Sequence, residues 1–321
     1  MKKILALLLA LSVLMGVSSA MAADYPSGKL INLVCPWGAG GSTDITARAL
    51  ANVAEEMFGT SVIVTNREGG GSTIGTQEVA MSTATDGGTI LVATVNALAI
   101  LPHTMGLGYT PENFKAIGQV SVRDMGIICK ADKPWNTIVD FLEDAKANPG
   151  KYLVSCPQGG LQNILFQMLA DQTGAEFTVY PVNNDTENLT AVLGGISDIG
   201  VPGSYDVAAG QIAAGEVKLL GLFSDRRLEN LPDVPTLQEL GFDLTFYPWT
   251  ALLVPTTTDD EIVAAMQEAW AKVLQSEELA ELLKKNGQTP MYMDGAAMDE
   301  NMLTQYNDFG ETIQSMGLSA Q

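Results

Sequence analysis

The feature that most constrains the fold of this chain is an alternation of short, β-branched apolar runs with longer amphipathic stretches. Residues 30–35 and 62–66 are runs of strand length. Residues 43–58, between them, repeat apolar side chains at spacings of three and four, which places one apolar stripe on a helix. Alternating strands and helices are typical of α/β domains with parallel sheets. A chain of 321 residues fits two such domains better than one, so we predict two α/β lobes.

The same pattern assigns the rest of the chain. Further strands are predicted at residues 89–95, 116–122, 126–129, 152–156, 177–179, 217–223 and 252–254, and further helices at residues 137–147, 162–172, 206–214, 259–275 and 294–313. We expect the chain to cross between the lobes in the extended stretches at residues 121–124 and 244–248. The predicted organisation is a leader at residues 1–22, a first lobe of residues 23–122 plus 248–321, and a second lobe of residues 123–247.

The leader has the three parts of an export signal. Met1-Lys2-Lys3 is a basic start, an apolar run extends to Val17, and Ala20-Met21-Ala22 has the small side chains that signal peptidase reads. The alternative, a membrane anchor, would need about twenty apolar residues, and the run ends sooner. We therefore expect a protein that is exported, cleaved near Ala22, and without a membrane span of its own.

The charge balance excludes one class of function. Seventeen Lys and Arg residues stand against thirty-seven Asp and Glu residues, for a net charge of −20 at pH 7. Because the basic residues are scattered, a nucleic-acid binder that relies on phosphate contacts is excluded. The chain has one histidine, and its three cysteines form no pair at ligand spacing, so we predict no metal site and no cofactor.

Each of the three cysteines, Cys35, Cys129 and Cys156, ends an apolar run. We interpret them as buried small hydrophobic residues. The alternative is a disulfide between Cys35 and Cys156 that would lock the two lobes together.

The sequence gives little support for a catalytic function. His103 is predicted to lie in a surface loop, and no G-x-S-x-G motif is present. Acidic pairs such as Glu55-Glu56 are neighbours in sequence and do not face each other on a helix. We therefore predict that the protein is not an enzyme.

The most informative local motif is a glycine-rich turn between the strand at residues 30–35 and the helix that begins near Thr43. Gly38, Gly40 and Gly41 allow close backbone approach, and the first N–H groups of the helix would attract an anion. The turn lacks the Lys of a Walker loop and the third Gly of a dinucleotide fingerprint. The alternative is an ordinary tight turn that binds nothing.

A second turn repeats this arrangement at residues 152–169, where Gly159 and Gly160 follow Pro157 and precede a helix. Two such turns in two lobes favour a ligand held between facing helix N-termini. A third glycine cluster, residues 69–75, is interpreted either as an accessory wall of the site or as a plain loop.

Several segments together resemble a known family, the periplasmic solute-binding receptors of tripartite tricarboxylate transporters, also called Bug-type receptors. The resemblance covers the mature chain and is carried by YPSGKLINLVCPWGAGGSTD, VTNREGGGSTIGTQEVAMSTATDGGTILVAT, ANPGKYLVSCPQGG, LTAVLGGISD and AAGEVKLLGLFSDRRLENLPDVPTLQELGFD. It implies a two-lobed α/β clamshell, the type II periplasmic-binding-protein fold, with two crossing hinge strands and a carboxylate ligand in the cleft.

The resemblance also implies which residues line the cleft. They are Gly40, Gly41, Ser42, Thr43, Asp44, Thr94 and Asn96 in the first lobe, and Ser155, Gln158, Gly159, Gly160, Asn163 and Ser204 in the second. Trp37 would stack on the ligand or shape its pocket; the alternative is that it packs in the core or hinge. Asp44 would cap its helix, repel a misplaced carboxylate, or meet an ammonium group. At residues 182–184, Val-Asn-Asn replaces a segment in which relatives carry a positive charge.

The function implied by the resemblance is that of a monomeric periplasmic receptor. It would capture a small organic carboxylate and deliver it to the membrane subunits of a tripartite tricarboxylate-type transporter. Two alternatives remain open: docking of the liganded receptor on a membrane sensor kinase, and binding of an amino acid or a neutral solute. Because basic residues are scarce, we expect the preferred ligand to carry few negative charges.

Overall fold

The computed structural model describes residues 25–320, and the predicted export signal with its cleavage position lies outside them. The described part of the chain folds around two β-sheets, one of six strands and one of five. No helix within this part is long and apolar enough to cross a membrane.

The strands of residues 25–320 are numbered in chain order: β1 (Ile31–Cys35), β2 (Val62–Asn66), β3 (Thr89–Thr94), β4 (Phe114–Val122), β5 (Gly126–Lys130), β6 (Leu153–Cys156), β7 (Thr178–Pro181), β8 (Ile199–Gly200), β9 (Val217–Leu222), β10 (Trp249–Pro255) and β11 (Thr289–Asp294). The six-stranded sheet of the first lobe has the order β11-β4-β10-β3-β1-β2. The five-stranded sheet of the second lobe has the order β7-β6-β8-β5-β9.

Helices cover both sheets. They are α1 (Ser42–Phe58), α2 (Thr73–Ala80), α3 (Leu101–Met105), α4 (Ile138–Ala147), α5 (Leu161–Asp171), α6 (Asp185–Leu193), α7 (Ala209–Ala213), α8 (Asp260–Leu274), α9 (Glu277–Lys285) and α10 (Gly295–Ser315). Short 3₁₀ turns occur at Gly70–Ser72, Pro111–Asn113 and Tyr205–Ala208, and a π-helical turn occurs at Asn96–Ile100. The amphipathic stripe predicted for residues 43–58 buries Leu50 and Val53 of α1.

Each sheet is mixed, which corrects the parallel sheets expected from the sequence. β1 pairs in parallel with β2 and β3, and β6 pairs in parallel with β7 and β8. β10 is antiparallel to β3 and β4, and β5 is antiparallel to β8 and β9. β5 and β10 are the strands that the chain enters after passing between the lobes, so each starts at the edge where its neighbours end.

This topology brings the carboxyl ends of the remaining strands together. β3 and β4 both run against β10, so the carboxyl ends of β1 to β4 share one edge of the first sheet. β8 and β9 both run against β5, so they share an edge with β6 and β7 in the second sheet. The chain leaves each sheet at that edge, and the two carboxyl edges therefore lie at the crossing between the lobes.

Two segments of chain, residues 123–125 and 223–248, connect the lobes. The N–H of Arg123 donates to the carbonyl of Pro248 (2.9 Å), and the N–H of Phe223 donates to the carbonyl of Met125 (3.0 Å). The two crossings are therefore hydrogen-bonded to each other. The exact lobe limits given in the sequence analysis stay a prediction.

The apolar cores are densely buried, with Leu33, Leu50 and Trp270 at 0% exposure in the first lobe and Phe166 at 0% in the second. The three cysteines are also buried, and all three are free. Their interpretation as small hydrophobic residues is confirmed, and no disulfide locks the lobes.

His103 lies in α3, so the predicted surface loop is wrong at this position. Its Nε2 is 2.8 Å from the carbonyl oxygen of Tyr306, and its ring stacks on the Tyr306 ring with centroids 4.1 Å apart. The residue packs against α10, a contact between distant parts of the chain that no local pattern reports.

Candidate ligand-binding site

The first glycine-rich turn joins β1 to α1 with an open helix N-terminus. Gly40 has a φ of 80°, a conformation that favours glycine. The N–H of Gly41, the N-cap of α1, donates to the carbonyl of Gly38 (3.2 Å) and closes the turn. No side chain accepts a hydrogen bond at this N-cap, so the N–H groups of exposed Ser42 and buried Thr43 point out of the helix end without a cap.

The carboxylate of Asp44 holds this turn from within the lobe. Oδ2 accepts hydrogen bonds from the N–H of Gly40 (2.9 Å) and Nε of Arg48 (2.9 Å). Oδ1 accepts from Nη2 of Arg48 (3.0 Å) and Nδ2 of Asn66 (2.8 Å). Burial raises the pKa of Asp44, but the hydrogen bonds from Arg48, Gly40 and Asn66 outweigh burial and hold that pKa below its ordinary value. Both oxygens are used inside the protein, so Asp44 supports the turn and is not the partner of a ligand ammonium group.

The second turn, between β6 and α5, has the same backbone geometry. Gly159 has a φ of 67°, and Gly160 is an N-cap whose N–H donates to the carbonyl of Pro157 (3.1 Å). The N–H of Gly159 donates to Oδ1 of Asn163 (3.2 Å), so Asn163 takes the place that Asp44 has in the first turn. Gln158 is exposed at the tip.

The lobes meet directly at this second turn. Oδ1 of Asn96, which follows β3 in the first lobe, accepts a hydrogen bond from the N–H of Leu161, the first residue of α5 (3.2 Å). A side-chain oxygen therefore occupies a donor that a helix N-terminus otherwise offers to an anion. The structure brings Asn96, predicted as a cleft residue, to the second predicted turn.

Buried polar atoms without a partner lie along one edge of the first sheet. In residues 25–320 these atoms are Nε1 of Trp37, Oγ of Ser72, Oγ1 of Thr94, Nη2 of Arg123 and Oδ1 of Asp124. They follow or end β1, β2, β3 and β4, at the carboxyl edge where α/β sheets bind ligands. Buried polar groups are nearly always hydrogen-bonded, so this concentration indicates a place for a polar ligand or ordered water.

The third glycine cluster contributes Ser72 to this edge. Ser72 has a φ of 89°, which is rare for residues other than glycine, and it is buried. A strained backbone combined with an unpartnered hydroxyl favours the accessory wall over the plain loop.

Two predicted serines have other roles. The hydroxyl of Ser155 is fully buried in the second lobe, where it lies 3.2 Å from the carbonyl oxygen of Ile199 and accepts from Ser197 (2.9 Å). Its hydroxyl therefore faces the interior of the lobe, and its role as a ligand residue stays a prediction. Ser204 caps the 3₁₀ turn Tyr205–Ala208 and donates to Oδ2 of Asp206 (2.6 Å).

Sequence reasoning missed the charged residues at the crossing, Arg123, Asp185 and Asp206. Burial lowers the pKa of Arg123, although Asp185 and Asp206 attract its charge. Burial likewise raises the pKa of Asp185 and that of Asp206. No local motif marks these residues, because segments that are distant in the sequence form their common environment.

The chemistry of this site suits binding. Backbone N–H groups, hydroxyls, amides and one arginine surround the crossing, and these groups bind anions and polar solutes. Among residues 25–320 no cluster of three or more His, Cys, Asp or Glu side chains is placed to hold a metal ion.

Known proteins match this chain over nearly its whole length. Residues 46–318 match the family model described as the tripartite tricarboxylate transporter family receptor. A relative named for the gbd 5′ region of Cupriavidus necator is 31% identical over 284 residues, which cover 86% of this chain and 84% of the relative.

Solved structures share the fold. A TctC solute-binding protein from Polaromonas, without ligand, is 27% identical with a TM-score of 0.76 and covers 91% of this chain and 99% of its own. An R. palustris protein with adipate has a TM-score of 0.80 at 22% identity, and the match covers 92% of this chain and 99% of that protein. The fold is the two-lobed α/β fold of periplasmic solute-binding proteins. The chain belongs to the receptor family of the tripartite tricarboxylate transporters.

Proposed function

We propose that this protein captures a small organic carboxylate between its two lobes, outside the cytoplasm, and delivers it to the membrane subunits of a tripartite tricarboxylate-type transporter. The observation that carries the proposal is the row of buried, unpartnered polar atoms at the carboxyl edge of the first sheet. α1 begins at the same edge, and α5 begins beside Asn96, which follows β3; the N-cap residue of each helix is a glycine without a capping side chain.

Backbone groups would supply most of the attraction for a carboxylate. The first N–H groups of a helix carry partial positive charge and lack partners within the helix. Two such helix ends, one in each lobe, allow an overall acidic protein to bind an anion without a cluster of basic side chains.

Closure of the lobes would report that the ligand is bound. A ligand that contacts one lobe in an open form and both lobes in a closed form favours the closed form by the extra contacts. The closed receptor is then the form that the membrane subunits would recognise. The adipate bound to the R. palustris protein supports a carboxylic acid as the ligand class.

A binding experiment tests this proposal directly. Purified mature protein is titrated by calorimetry with adipate, succinate, malate and aromatic carboxylates, and with the corresponding neutral amides. We expect heat and thermal stabilisation from at least one carboxylate and none from its amide. Binding by amides alone, or chemical conversion of a bound acid, would contradict the proposal.

A glycine pair tests whether the first turn takes part. Gly40→Ala and Gly59→Ala both place a side chain on a left-handed residue, at φ of 80° and 62°, with no atom within 4 Å of the new Cβ. Both should lower the free energy of unfolding by about 1 kcal/mol. Only Gly40→Ala, at the turn, should also weaken ligand binding; Gly59 ends α1 at the far side and serves as the matched control. Equal affinities in the two variants would remove the turn from the site.

A further inference from the structure

The charges at the crossing between the lobes do not balance. Asp124, Asp185 and Asp206 share this region with two arginines, Arg123 and Arg226. When all five groups are ionised, the wall they form carries one negative charge in excess. This excess disfavours a ligand that brings only negative charge.

Arg123 has no partner of its own at the end of its side chain. Its Nη2 is buried and has no hydrogen-bond partner among residues 25–320, and its guanidinium forms no ion pair within 4.0 Å in that range. Asp185 and Asp206 act on it only from a longer distance. A guanidinium whose Nη2 is buried without a partner offers a charged donor that suits a carboxylate.

Asp185 lies near both this arginine and the second turn. Its Oδ1 accepts a hydrogen bond from the N–H of Gly203 (2.9 Å). A Cβ built on Gly203 would lie 3.4 Å from Oδ2 of Asp185 and 3.0 Å from Nε2 of Gln162, in the first turn of α5. One oxygen of Asp185 is therefore held by the backbone, and the carboxylate lies beside the first turn of α5.

Asp124 and Asp206 complete the wall. Asp124 is 6% exposed, and its Oδ1 has no partner in residues 25–320, while its Oδ2 accepts from Thr289 (3.2 Å). Asp206 comes from the second lobe but lies so close to Gly287 of the first lobe that a side chain on Gly287 would collide with its carboxylate. Groups from both lobes thus surround the Arg123 guanidinium, whose Nη2 has no partner in residues 25–320, and the Asp124 carboxylate, whose Oδ1 has none there.

We infer that this wall binds the amino-acid end of a zwitterionic ligand, an α-amino acid, with its carboxylate on Arg123 and its ammonium group on Asp185. The inference rests on the proposed function and narrows its ligand class. The carboxylate end of a plain dicarboxylate would add one negative charge to a wall that already has an excess of negative charge, whereas the amino-acid end of a zwitterion adds none. Asp44, which the sequence suggested as the ammonium partner, is used by Arg48 and Asn66.

Matched pairs of ligands test this inference by calorimetry. The pairs are 2-aminoadipate with adipate, aspartate with succinate, and alanine with propionate, run together with the other proteinogenic amino acids. In the pair that fits the cleft, we expect the amino member to bind at least about tenfold more tightly, because a buried polar group loses its partner in the other member.

Variants assign the two contacts. Arg123→Gln should weaken binding of the best amino acid by at least about 30-fold, and Arg123→Lys should recover part of this loss, which separates lost charge from misfolding. Asp185→Asn keeps the oxygen that accepts from Gly203 and should abolish the preference for the amino member of each pair. Arg227→Gln is the matched control, because Arg227 pairs with Glu239 on the exposed surface of the connecting segment 223–248.

The outcomes separate the inference from the proposed function. If carboxylates bind but the amino group brings no gain, or if Arg123→Gln binds as the unaltered protein does, the inference is wrong and the proposed function stands. If neither carboxylates nor amino acids bind, the proposed function is wrong as well. Tighter binding of amino acids than of the matched acids, with weaker binding in Arg123→Gln and no preference in Asp185→Asn, supports both the inference and the proposed function.

Discussion

The two glycine-rich turns have the same backbone but different means of support. Gly40 and Gly159 are both left-handed, and each donates its N–H to a side chain four residues later in the chain. In the first turn that side chain is Asp44, which accepts four hydrogen bonds within its lobe. In the second it is Asn163, which accepts one bond of 3.2 Å.

This difference indicates that the two turns have different roles. A carboxylate that is bound by Arg48 and Asn66 holds the first turn in one shape whether or not the lobes are closed. The second turn depends on Asn96 of the other lobe for the hydrogen bond at Leu161. In the proposed closure of the lobes, the first turn would therefore be a preformed surface, and the second would be the one that responds.

The largest effect should come from removing the two supporting side chains. Asp44→Ala should lower the free energy of unfolding by about 2–3 kcal/mol, because it leaves Gly40, Arg48 and Asn66 without their acceptor. Asn163→Ala, which removes one hydrogen bond, should cost about 1 kcal/mol. Urea denaturation followed by tryptophan fluorescence measures both, with Asp171→Ala on an exposed helix face as the control. Equal losses at the two turns would contradict a preformed first turn.

A smaller effect is expected from acid, which should change the contribution of the two turns to the free energy of unfolding differently. Burial alone would raise the pKa of Asp44, but its hydrogen bonds hold that pKa below the ordinary value. The charge therefore stabilises the fold above the unfolded pKa of about 3.9, and this contribution is lost as the pH falls through the lower folded pKa.

The test compares the unaltered protein with Asp44→Asn across this pH range. At pH 7 we expect a difference of about 1–2 kcal/mol in the free energy of unfolding, because hydrogen bonds to a charged group are lost. The difference should shrink toward zero in acid. Asn163→Ala has no charge to lose, so its cost should not depend on pH in this way. A constant cost for Asp44→Asn would show that charge does not support the first turn.

The smallest effect concerns the contact between the lobes. Asn96→Ala removes the hydrogen bond to Leu161 and should favour the open form by about 0.5–1 kcal/mol. Small-angle X-ray scattering of the unliganded protein should then give a larger radius of gyration. Asn286→Ala, whose side chain bonds only within its own helix end, is the control and should leave the radius unchanged.

Local sequence patterns predicted most of the fold and failed where contacts are distant. The strand at Val62–Asn66 matches its predicted limits, because a run of β-branched residues fills it from Val62 to Thr65. β8, with two residues, is too short for any periodicity, and β11 includes Pro290 and is only partly buried. The antiparallel course of β10 depends on the crossing, which no stretch of sequence records.

One missed helix did have a local signal. α6 begins after Asn184, whose side chain accepts from the N–H of Glu187, and the Glu187 carboxylate accepts from the N–H of Asn183. Asn followed by Glu three residues later is the sequence pattern of a helix N-terminus.

The candidate site was likewise predictable from local sequence patterns only in part. Glycines at strand ends indicated both turns from sequence alone. Arg123 and Asp185 gave no local signal, because burial and the long-range approach of two segments give them their importance. The resemblance placed Ser155 in the cleft, but its hydroxyl faces Ser197 and Ile199 inside the lobe.

The three buried cysteines have a consequence for the chemical durability of the protein. Burial raises the pKa of the Cys35 thiol to about 11 and those of Cys129 and Cys156 to about 12. At neutral pH only about one Cys35 thiol in ten thousand is then a thiolate, the form that reacts with oxidants and disulfides. A receptor of this family can thus carry three thiols outside the reducing cytoplasm, reach its fold without an oxidant, and resist covalent cross-linking while it works.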